Sequence, residues 1–323
     1  MRNVSFAAAL AAAAWIAGAA PAIAQAAYPN APVHIICGFS PGTTADLSAR
    51  IVGAKMGQIL GQQFVVENRL GASSSTAAAS VAGAPKDGYT LFIGSAANLI
   101  NAAMRSDLKF DFVKDFTPIA LLSSTPTVLV VNPDVKANNV RELIALAKST
   151  PNGVIFGSAG VGSSTHLALE LFKSLAGVQI THVPYSGSPP VVTDLLAGRL
   201  NGYFAPASSV MGSVQTGKLR AFAVTDVKRS PSFPELPTMI EAGVPDFESS
   251  LWFGLMAPAG TPQPIVDRLA RAAAEALKSP EVVEAFRKQT MEAGEAGPEE
   301  FRRYIAKENV RWTTLVKNAG LKP

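Results

Sequence analysis

Two segments of the sequence, one in each half, place glycines and hydroxyl side chains between an apolar strand and a helix start. In the first, the strand pattern Val33–Cys37 leads into Gly38-Phe39-Ser40-Pro41-Gly42-Thr43-Thr44-Ala45-Asp46. In the second, the strand pattern Val154–Gly157 leads into Ser158-Ala159-Gly160-Val161-Gly162-Ser163-Ser164-Thr165-His166. A helix start leaves backbone N–H groups unpaired and carries partial positive charge, so it attracts anions. Two such loops that face each other form a cleft suited to a small carboxylate.

The hydroxyl groups of these loops have a second possible role, which is to cap their own helices. Thr43 and Asp46 fit a capping box, with Thr43 as the cap and Asp46 at the third helical position. Asp46 is expected to be structural in either case, because a carboxylate pointing into an anion site repels the ligand. Ser158, Ser163 and Ser164 are donors at a helix start, or serve as caps alone. Both interpretations stay open here, since a cap also fixes the loop that a ligand meets.

An enzyme is the alternative interpretation of the first loop. Gly38-Phe39-Ser40-Pro41-Gly42 matches the Gly-x-Ser-x-Gly nucleophile elbow, and His182 follows in the chain order that a catalytic base requires. The oxyanion hole, however, needs the backbone N–H of the residue after the nucleophile, and Pro41 has none. A secreted serine hydrolase that uses Ser40 is therefore the second hypothesis rather than the first.

Apolar runs of strand length alternate with helical patterns along the chain. The predicted strands are Val33–Cys37, Phe64–Glu67, Tyr89–Gly94, Pro118–Leu122, Val128–Val131, Val154–Gly157, Gln179–Val183, Leu200–Phe204, Leu219–Val224 and Trp252–Ala257. The predicted helices are Ala45–Leu60, Val140–Lys148, Thr165–Leu175, Val191–Ala197, Ile265–Leu277 and Pro298–Val316. This alternation predicts a mainly parallel α/β architecture, with the last helix packed across a lobe.

The placement of the two similar loops in separate halves predicts two lobes. We expect a first lobe of residues 27–125 plus 228–323 and a second lobe of residues 126–227, with chain crossings near Thr125–Thr127 and Thr225–Val227. Further polar or aromatic loops follow other predicted strands, at Ser95–Asn98, Pro184–Gly187 and Ala205–Ser208. Ligands of open α/β sheets sit beyond the carboxyl ends of strands, so these loops belong to the same expected site.

The N-terminus has the pattern of a secretory signal. Arg2 precedes the apolar run Phe6–Ala20, and Ala22-Ile23-Ala24 supplies small residues for cleavage. We expect residues 1–24 to be removed, or residues 1–26 if cleavage follows Ala26.

Composition excludes several classes of protein. Charged residues make up 16% of the chain, the net charge is +4, and no dense basic stripe is present, which excludes a nucleic-acid-binding role. Cys37 is the single cysteine, so no internal disulfide forms, and its apolar strand predicts a buried, inert thiol. Three histidines and one cysteine at unrelated spacings give no metal-site pattern, and we expect neither a metal nor another cofactor.

With these motifs in order, the chain resembles the solute-binding proteins of tripartite tricarboxylate transporters, often called the Bug family. The resemblance covers essentially the whole mature chain. The residues that carry it are Pro32-Val33, Gly38–Gly42, Asp46, Val65–Arg69, Pro85–Leu91, Lys114–Ala120, Gly162–Leu167, His182–Gly187, Gly217–Ala221, Trp252–Leu255 and Ala257–Pro262.

The resemblance implies a fold class and a function. The fold is α/β: a periplasmic-binding-protein fold of two α/β lobes joined by two crossing strands, with the ligand cleft between them. The function is capture of a small carboxylate in the periplasm by loop amides, hydroxyls and ordered waters, and delivery to an integral membrane permease of two subunits, without catalysis. We expect a monomer, and a receptor that feeds a sensor kinase is the remaining alternative to transport.

By matching position, the family's ligand contacts fall on five loops of this chain. The residues are Phe39, Gly42, Thr43, Thr44, Asp46, Ser95, Asn98, Ser158, Gly162, Ser163, Ser164, Thr165, Tyr185, Gly187 and Ala205. Two positions depart from the family's pattern: Thr43 stands where a second glycine is usual, and Ala205 stands where aspartate is frequent. Without that acceptor an amino-acid ammonium group is poorly served, so a dicarboxylate or an aromatic carboxylate is favoured.

Overall fold

Two mixed β-sheets organise residues 28–319, the part of the chain that this computed structural model describes. The strands are β1 Val33–Cys37, β2 Phe64–Asn68, β3 Thr90–Ser95, β4 Phe116–Thr125, β5 Thr127–Val131, β6 Ile155–Ser158, β7 Thr181–Pro184, β8 Gly202–Pro206, β9 Arg220–Val224, β10 Leu251–Pro258 and β11 Glu292–Ala293. The helices are α1 Thr44–Leu60, α2 Ser75–Ala82, α3 Ala96–Met104, α4 Val140–Ser149, α5 Ser164–Ala176, α6 Ser188–Leu196, α7 Ala207–Gln215, α8 Gln263–Lys278, α9 Pro280–Lys288 and α10 Pro298–Ala319. The predicted signal segment, residues 1–24, lies outside the described residues.

All ten predicted strands and all six predicted helices are present, with ends shifted by a few residues. Four short helices, α2, α3, α7 and α9, and the two-residue strand β11 had no counterpart in the sequence-based prediction. Within residues 28–319, no helix is both long enough and apolar enough to cross a membrane.

The sheets are mixed rather than mainly parallel, which corrects the sequence-based prediction. The first sheet has the order β11-β4-β10-β3-β1-β2, and the second has the order β7-β6-β8-β5-β9. β10 runs antiparallel to β3 and β4, and β5 runs antiparallel to β8 and β9. The reason is topological: β5 and β10 each enter their sheet from the other lobe, so they start at the edge where their neighbours end.

This topology places the loops that follow the parallel strands of both lobes at the same edge, where the chain crosses between the sheets. Pro126 alone separates β4 from β5, so the first crossing falls between Thr125 and Thr127. Thr125 pairs with Leu251 at the start of β10, and Thr127 pairs with Pro206 at the end of β8. β1 and β3 run parallel in the first sheet, and β6, β7 and β8 run parallel in the second. The loops that follow these five strands therefore all open toward the crossing.

The segment between β9 and β10 packs against the second lobe before it returns. Phe247 stacks on Phe204 of β8 with ring centroids 5.6 Å apart, and the N–H of Met239 donates to the carbonyl of Val224. The sequence-based boundary at 228 assigned this segment to the first lobe. We propose instead that the second crossing lies where Ser249 and Ser250 lead into β10.

The last helix, α10, packs across the first lobe and also contacts α5 of the second. Phe301 lies directly on the sheet at Gly254, where a Cβ would stand 2.1 Å from its ring. Arg311 donates to Glu308 of the same helix and to Glu248 of the returning segment. The helix therefore secures the second crossing by packing and by an ion pair.

The second crossing also contains a carboxyl group with an altered pKa. Ser250 donates a hydrogen bond to Asp226, which joins the two ends of the returning segment. Burial raises the pKa of Asp226 to about 7, and the nearby charges of Glu292, Glu248 and Glu308 act in the same direction. The ionised form of Asp226 is thus disfavoured in the folded protein.

We expect Asp226→Asn to stabilise the protein at pH 8 and to change little at pH 4. The folded pKa of this carboxyl lies above its unfolded value of about 3.9, so the folded state binds the extra proton between pH 4 and 7 and stability falls as pH rises through that window. Asparagine removes the cost, raising the free energy of unfolding at pH 8 by about 2–4 kcal/mol in urea titrations. Asp134→Asn, at an exposed position, is the control. Equal destabilisation by Asp226→Asn at both pH values would contradict this account.

Candidate ligand site between the lobes

The loops that follow β1 and β6 have the same backbone geometry. Thr43 and Ser163 are the N-caps of α1 and α5, with φ and ψ of −73° and 162° at Thr43 and −71° and 158° at Ser163. Gly42 and Gly162 precede them with φ of +80° and +74°, a left-handed conformation that favours glycine. The hydroxyls of both caps donate to the carbonyl three residues earlier, at 2.7 Å in each case. The resemblance seen in the sequence is therefore also structural.

A side chain four residues after each of these glycines accepts the glycine N–H. Asp46 Oδ2 accepts from Gly42 at 2.9 Å, and His166 Nδ1 accepts from Gly162 at 3.1 Å. The predicted capping box does not form, because the Thr43 side chain makes no cap hydrogen bond and Asp46 accepts the N–H of Gly42 rather than that of Thr43. In both loops the acceptor turns the glycine N–H inward and holds the helix tip in place.

Asp46 is buried and fully engaged within the first lobe. Arg50 Nε donates to it at 3.0 Å and Asn68 Nδ2 at 2.8 Å, in addition to Gly42. Burial acts to raise the pKa of Asp46, but the hydrogen bonds from Arg50, Gly42 and Asn68 outweigh it and hold the pKa below its ordinary value. The carboxylate stays ionised and structural, as its expected repulsion of an anion suggested.

Further parts of the first-lobe wall come from Phe39, in the loop after β1, and from the start of α3, directly after β3. Phe39 and Ser95 both flank Phe253: the two phenylalanine rings meet edge to face at 5.9 Å, and Ser95 pairs with Phe253 in the sheet. Asn98 Oδ1 accepts from the N–H of Ser95 at 3.0 Å in a capping box for α3. Asn98 Nδ2 is buried and has no hydrogen-bond partner among the described residues.

Sequence reasoning missed two serines of this wall. Ala72, Ser73 and Ser74 all have positive φ, at 45°, 49° and 74°, in a tight turn that leads into α2. The turn lies against Gly38, where a Cβ would stand 2.0 Å from Ser74 Oγ. The hydroxyls of Ser74 and Ser75 are buried without a partner in residues 28–319. The sequence feature that could have indicated these serines is the Ser-rich run after β2, which is another polar loop beyond the end of a strand.

In the second lobe, three of the four predicted hydroxyl groups form hydrogen bonds within the described residues of the lobe, and one does not. Ser163 Oγ accepts from the N–H of His166 at 3.2 Å while it donates to Gly160, so it is a true cap. Thr165 Oγ1 accepts from the N–H of Ala159 at 2.9 Å. Ser158 Oγ is buried and lies 2.6 Å from His182 Nε2. The half-buried hydroxyl of Ser164 forms no side-chain hydrogen bond within the described chain, which leaves it available to a ligand.

The remaining predicted contacts lie beside this loop or behind it. The N–H of Tyr185 donates to Ser158, which places Tyr185 and Gly187 next to the second tip, but the Tyr185 hydroxyl is occupied by Asp194 at 2.6 Å. Ala205 is fully buried in the apolar core of the second lobe. Its side chain therefore does not reach the line between the lobes.

The two lobes also contact each other away from the crossing, where the end of α3 lies against the second loop. α3 begins beside the crossing at Ser95, and its nine residues span about 13 Å at the rise of an α-helix. At its far end is Met104, whose sulfur would lie 3.1 Å from a Cβ built on Gly162 of the second tip. The paired tips are thus bounded by the crossing on one side and by this contact on the other.

The contacts of His182 give no support to the hydrolase alternative. Its Nε2 pairs with Ser158 of the second lobe, whereas Ser40 is exposed at the tip of the first loop, and its carbonyl accepts from Thr43. Ser158 is fully buried, so this serine–histidine pair offers no accessible nucleophile either.

Two α/β lobes joined at a shared strand edge, with helix tips from both lobes along it, define a periplasmic-binding-protein fold. The family model for the tripartite tricarboxylate transporter family receptor matches residues 48–321, and the chain belongs to this family of solute receptors.

Relatives with substantial identity support the same assignment. The chain is similar to BugT of Bordetella pertussis (strain Tohama I), with 37% identity over 308 residues that cover 95% of this chain and 94% of BugT. Among solved structures it is similar to Rpa4515 of R. palustris with adipate, at 36% identity and a TM-score of 0.76, over 92% of this chain and 99% of that one. It is also similar to MatC of Rhodopseudomonas palustris with bound malate, at 31% identity and a TM-score of 0.73, over 90% and 100% of the two chains.

We expect Asp46→Ala to lower the free energy of unfolding at pH 7 by about 1–3 kcal/mol, because it removes the buried acceptor of the hydrogen bonds from Gly42, Arg50 and Asn68. The contribution of Asp46 is present above its unfolded pKa and is lost as pH falls through its lowered folded pKa. Urea unfolding measures both effects. Asp107→Ala is the control, since it removes only an exposed ion pair to Arg105, which contributes little to stability. A loss no larger than that of the control would show that Asp46 does not hold the loop.

Proposed function

We propose that this protein is a periplasmic receptor that binds a small dicarboxylate or aromatic carboxylate between its lobes. The observation that carries the proposal is the pairing of two helix tips of equal geometry, one from each lobe, at the crossing edge. First-turn N–H groups of α1 and α5 supply unpaired donors and partial positive charge from two sides. The adipate and malate bound by the two similar proteins from R. palustris support the same class of ligand.

The chemistry of the side chains at this edge favours an acceptor-rich ligand. Thr44 and Ser164, at equivalent positions in the two loops, offer hydroxyls, and Ser74, Ser75 and Asn98 add polar groups behind the first tip. Hydroxyl, amide and backbone N–H groups together match carboxylate oxygens.

An ammonium group, in contrast, finds no free carboxylate among the described residues of this edge. Asp46 is engaged by Arg50, Gly42 and Asn68, and Ala205 supplies no acceptor and lies in the core. The ligand class that we propose is therefore an organic acid rather than an amino acid.

Export and delivery complete the proposal. The signal pattern of residues 1–24 supports export of the mature protein to the periplasm. Closure of the lobes on a ligand would present a composite surface to a two-subunit membrane permease, as membership of the transporter family suggests. Delivery to a sensor kinase is the alternative outcome, and the mature receptor acts as a monomer.

A thermal-shift screen identifies the ligand. The mature protein is heated with adipate, malate, citrate, benzoate, glutamate or lysine, each at millimolar concentration, and hits are measured by calorimetry. We expect a rise in melting temperature with at least one acid and none with lysine, because a ligand that binds only the folded state stabilises it by mass action. Tight binding of lysine, or of glutamate in preference to every simple acid, would refute the proposed ligand class.

Single substitutions on each lobe test the position of the ligand. We expect Thr44→Val and Ser164→Ala each to weaken binding of the best acid by about 10- to 100-fold, the range for a hydrogen bond to a charged group. Ser174→Ala, in the exposed last turns of the same helix as Ser164, is the matched control and should bind normally. Unchanged affinity in both Thr44→Val and Ser164→Ala would place the ligand elsewhere.

A further inference from the structure

Two histidines behind the second loop have no role in the function described so far. The rings of His166 on α5 and His182 on β7 are stacked, with centroids 4.0 Å apart and planes 16° apart. Each contacts the ligand loop: His166 Nδ1 accepts from the N–H of Gly162, and His182 Nε2 lies 2.6 Å from the hydroxyl of Ser158. The pair therefore supports both ends of the loop from inside the lobe.

The hydrogen bond of His166 fixes its protonation state. A backbone N–H can only donate, so Nδ1 of His166 must carry a lone pair and the proton must sit on Nε2. Nε2 faces Glu170 Oε1 at 3.6 Å, which suits that tautomer. Protonation of Nδ1 would place two donors against each other and would break the support of Gly162, while the attraction to Glu170 would remain.

The equivalent place in the first loop is taken by Asp46, whose lowered pKa keeps it an acceptor to low pH. The two loops therefore differ in one respect: the second is held by an imidazole nitrogen, which accepts a hydrogen bond only while it carries no proton.

We propose that His166 and His182 are positioning residues that hold the second ligand loop in its binding form only while both rings are neutral. The inference rests on the proposed function, because the loop they hold is the one we assign to the ligand. Acid should release the second tip and leave the first tip intact.

The charged neighbours of the pair are consistent with this behaviour. Glu170 and Lys173 of α5 face the pair, and they bond each other at 2.8 Å. Burial is the main cause that lowers the pKa of His182 to about 4; His166 and the charge of Lys173 act in the same direction, and Glu170 opposes them. A histidine whose folded pKa is lowered contributes stability above its unfolded pKa near 6.5 and loses it as pH falls toward 4. Mild acid thus acts against the bound geometry of the loop.

Hydrogen exchange of the ligand-free protein tests the inference without reference to any ligand. We expect the protection of the Gly162 amide, corrected for the intrinsic pH dependence of exchange, to fall about five- to tenfold between pH 7.5 and 5, as for loss of one buried hydrogen bond. His166→Asn keeps an acceptor near the position of Nδ1 and cannot titrate, so its protection should stay constant. His166→Leu should be unprotected at both pH values. The Gly42 amide, held by Asp46, serves as the internal control.

Binding of adipate and malate, measured at pH 7.5 and 5 by calorimetry, connects the loop to affinity. We expect affinity to fall with acid by a factor about five- to tenfold larger in the wild type than in the double variant His166→Asn, His182→Gln. Protonation of the ligand itself affects both proteins equally. If none of the acids of the thermal-shift screen binds, the proposed function fails, while the exchange result still decides the role of the histidines. Constant Gly162 protection in the wild type, or equal pH dependence in the double variant, would overturn the inference.

Discussion

The arrangement of the molecule depends on where the chain passes between its two sheets. One residue, Pro126, separates β4 from β5, so the edges of the two sheets lie within about 7 Å at this point. The carboxyl ends of β1, β3, β6, β7 and β8 open toward the crossing because β5 and β10 start there and run the other way. A crossing at the opposite edge would have placed the same helix tips on the outer faces of the protein. The meeting of donors from both lobes is therefore a consequence of topology, before any side chain is considered.

Helix capping and anion binding can use the same chemical groups, and the structure shows which hydroxyls of the two loops are already engaged within their loops. The caps Thr43 and Ser163 direct their hydroxyls back to the loop, and a side chain four residues after each glycine accepts its N–H from within the lobe. The residue after each cap, Thr44 or Ser164, keeps a hydroxyl outside this network. The sequence could not make this division, because a capping serine and a ligand-binding serine have the same local pattern.

The sequence predicted the strands, the two loops and the first crossing, since these features are local: apolar runs, glycines at left-handed positions and hydroxyls before helices. It did not predict that β5 and β10 run antiparallel to their neighbours, nor that residues before Ser249 pack on the second lobe, because strand pairing and the Phe247–Phe204 stack are contacts distant in sequence. Ser74 and Ser75 escaped notice for a similar reason. Their turn has left-handed backbone at non-glycine residues, and it becomes part of the wall through its contact with Gly38.

The two loops share one backbone geometry but differ in the side chain that accepts the glycine N–H. The acceptor for the glycine N–H needs a short side chain with a lone pair, and both aspartate and histidine meet this requirement. Aspartate, surrounded by Arg50 and Asn68, remains an acceptor over a wide pH range. Histidine, stacked on a second histidine and beside Glu170, accepts this hydrogen bond only while its Nδ1 carries no proton. If a ligand needs both tips in place, as we propose, the tip whose acceptor can be protonated determines how binding responds to pH. On our proposal, the response of the receptor to acid then depends on the residue at one position of α5.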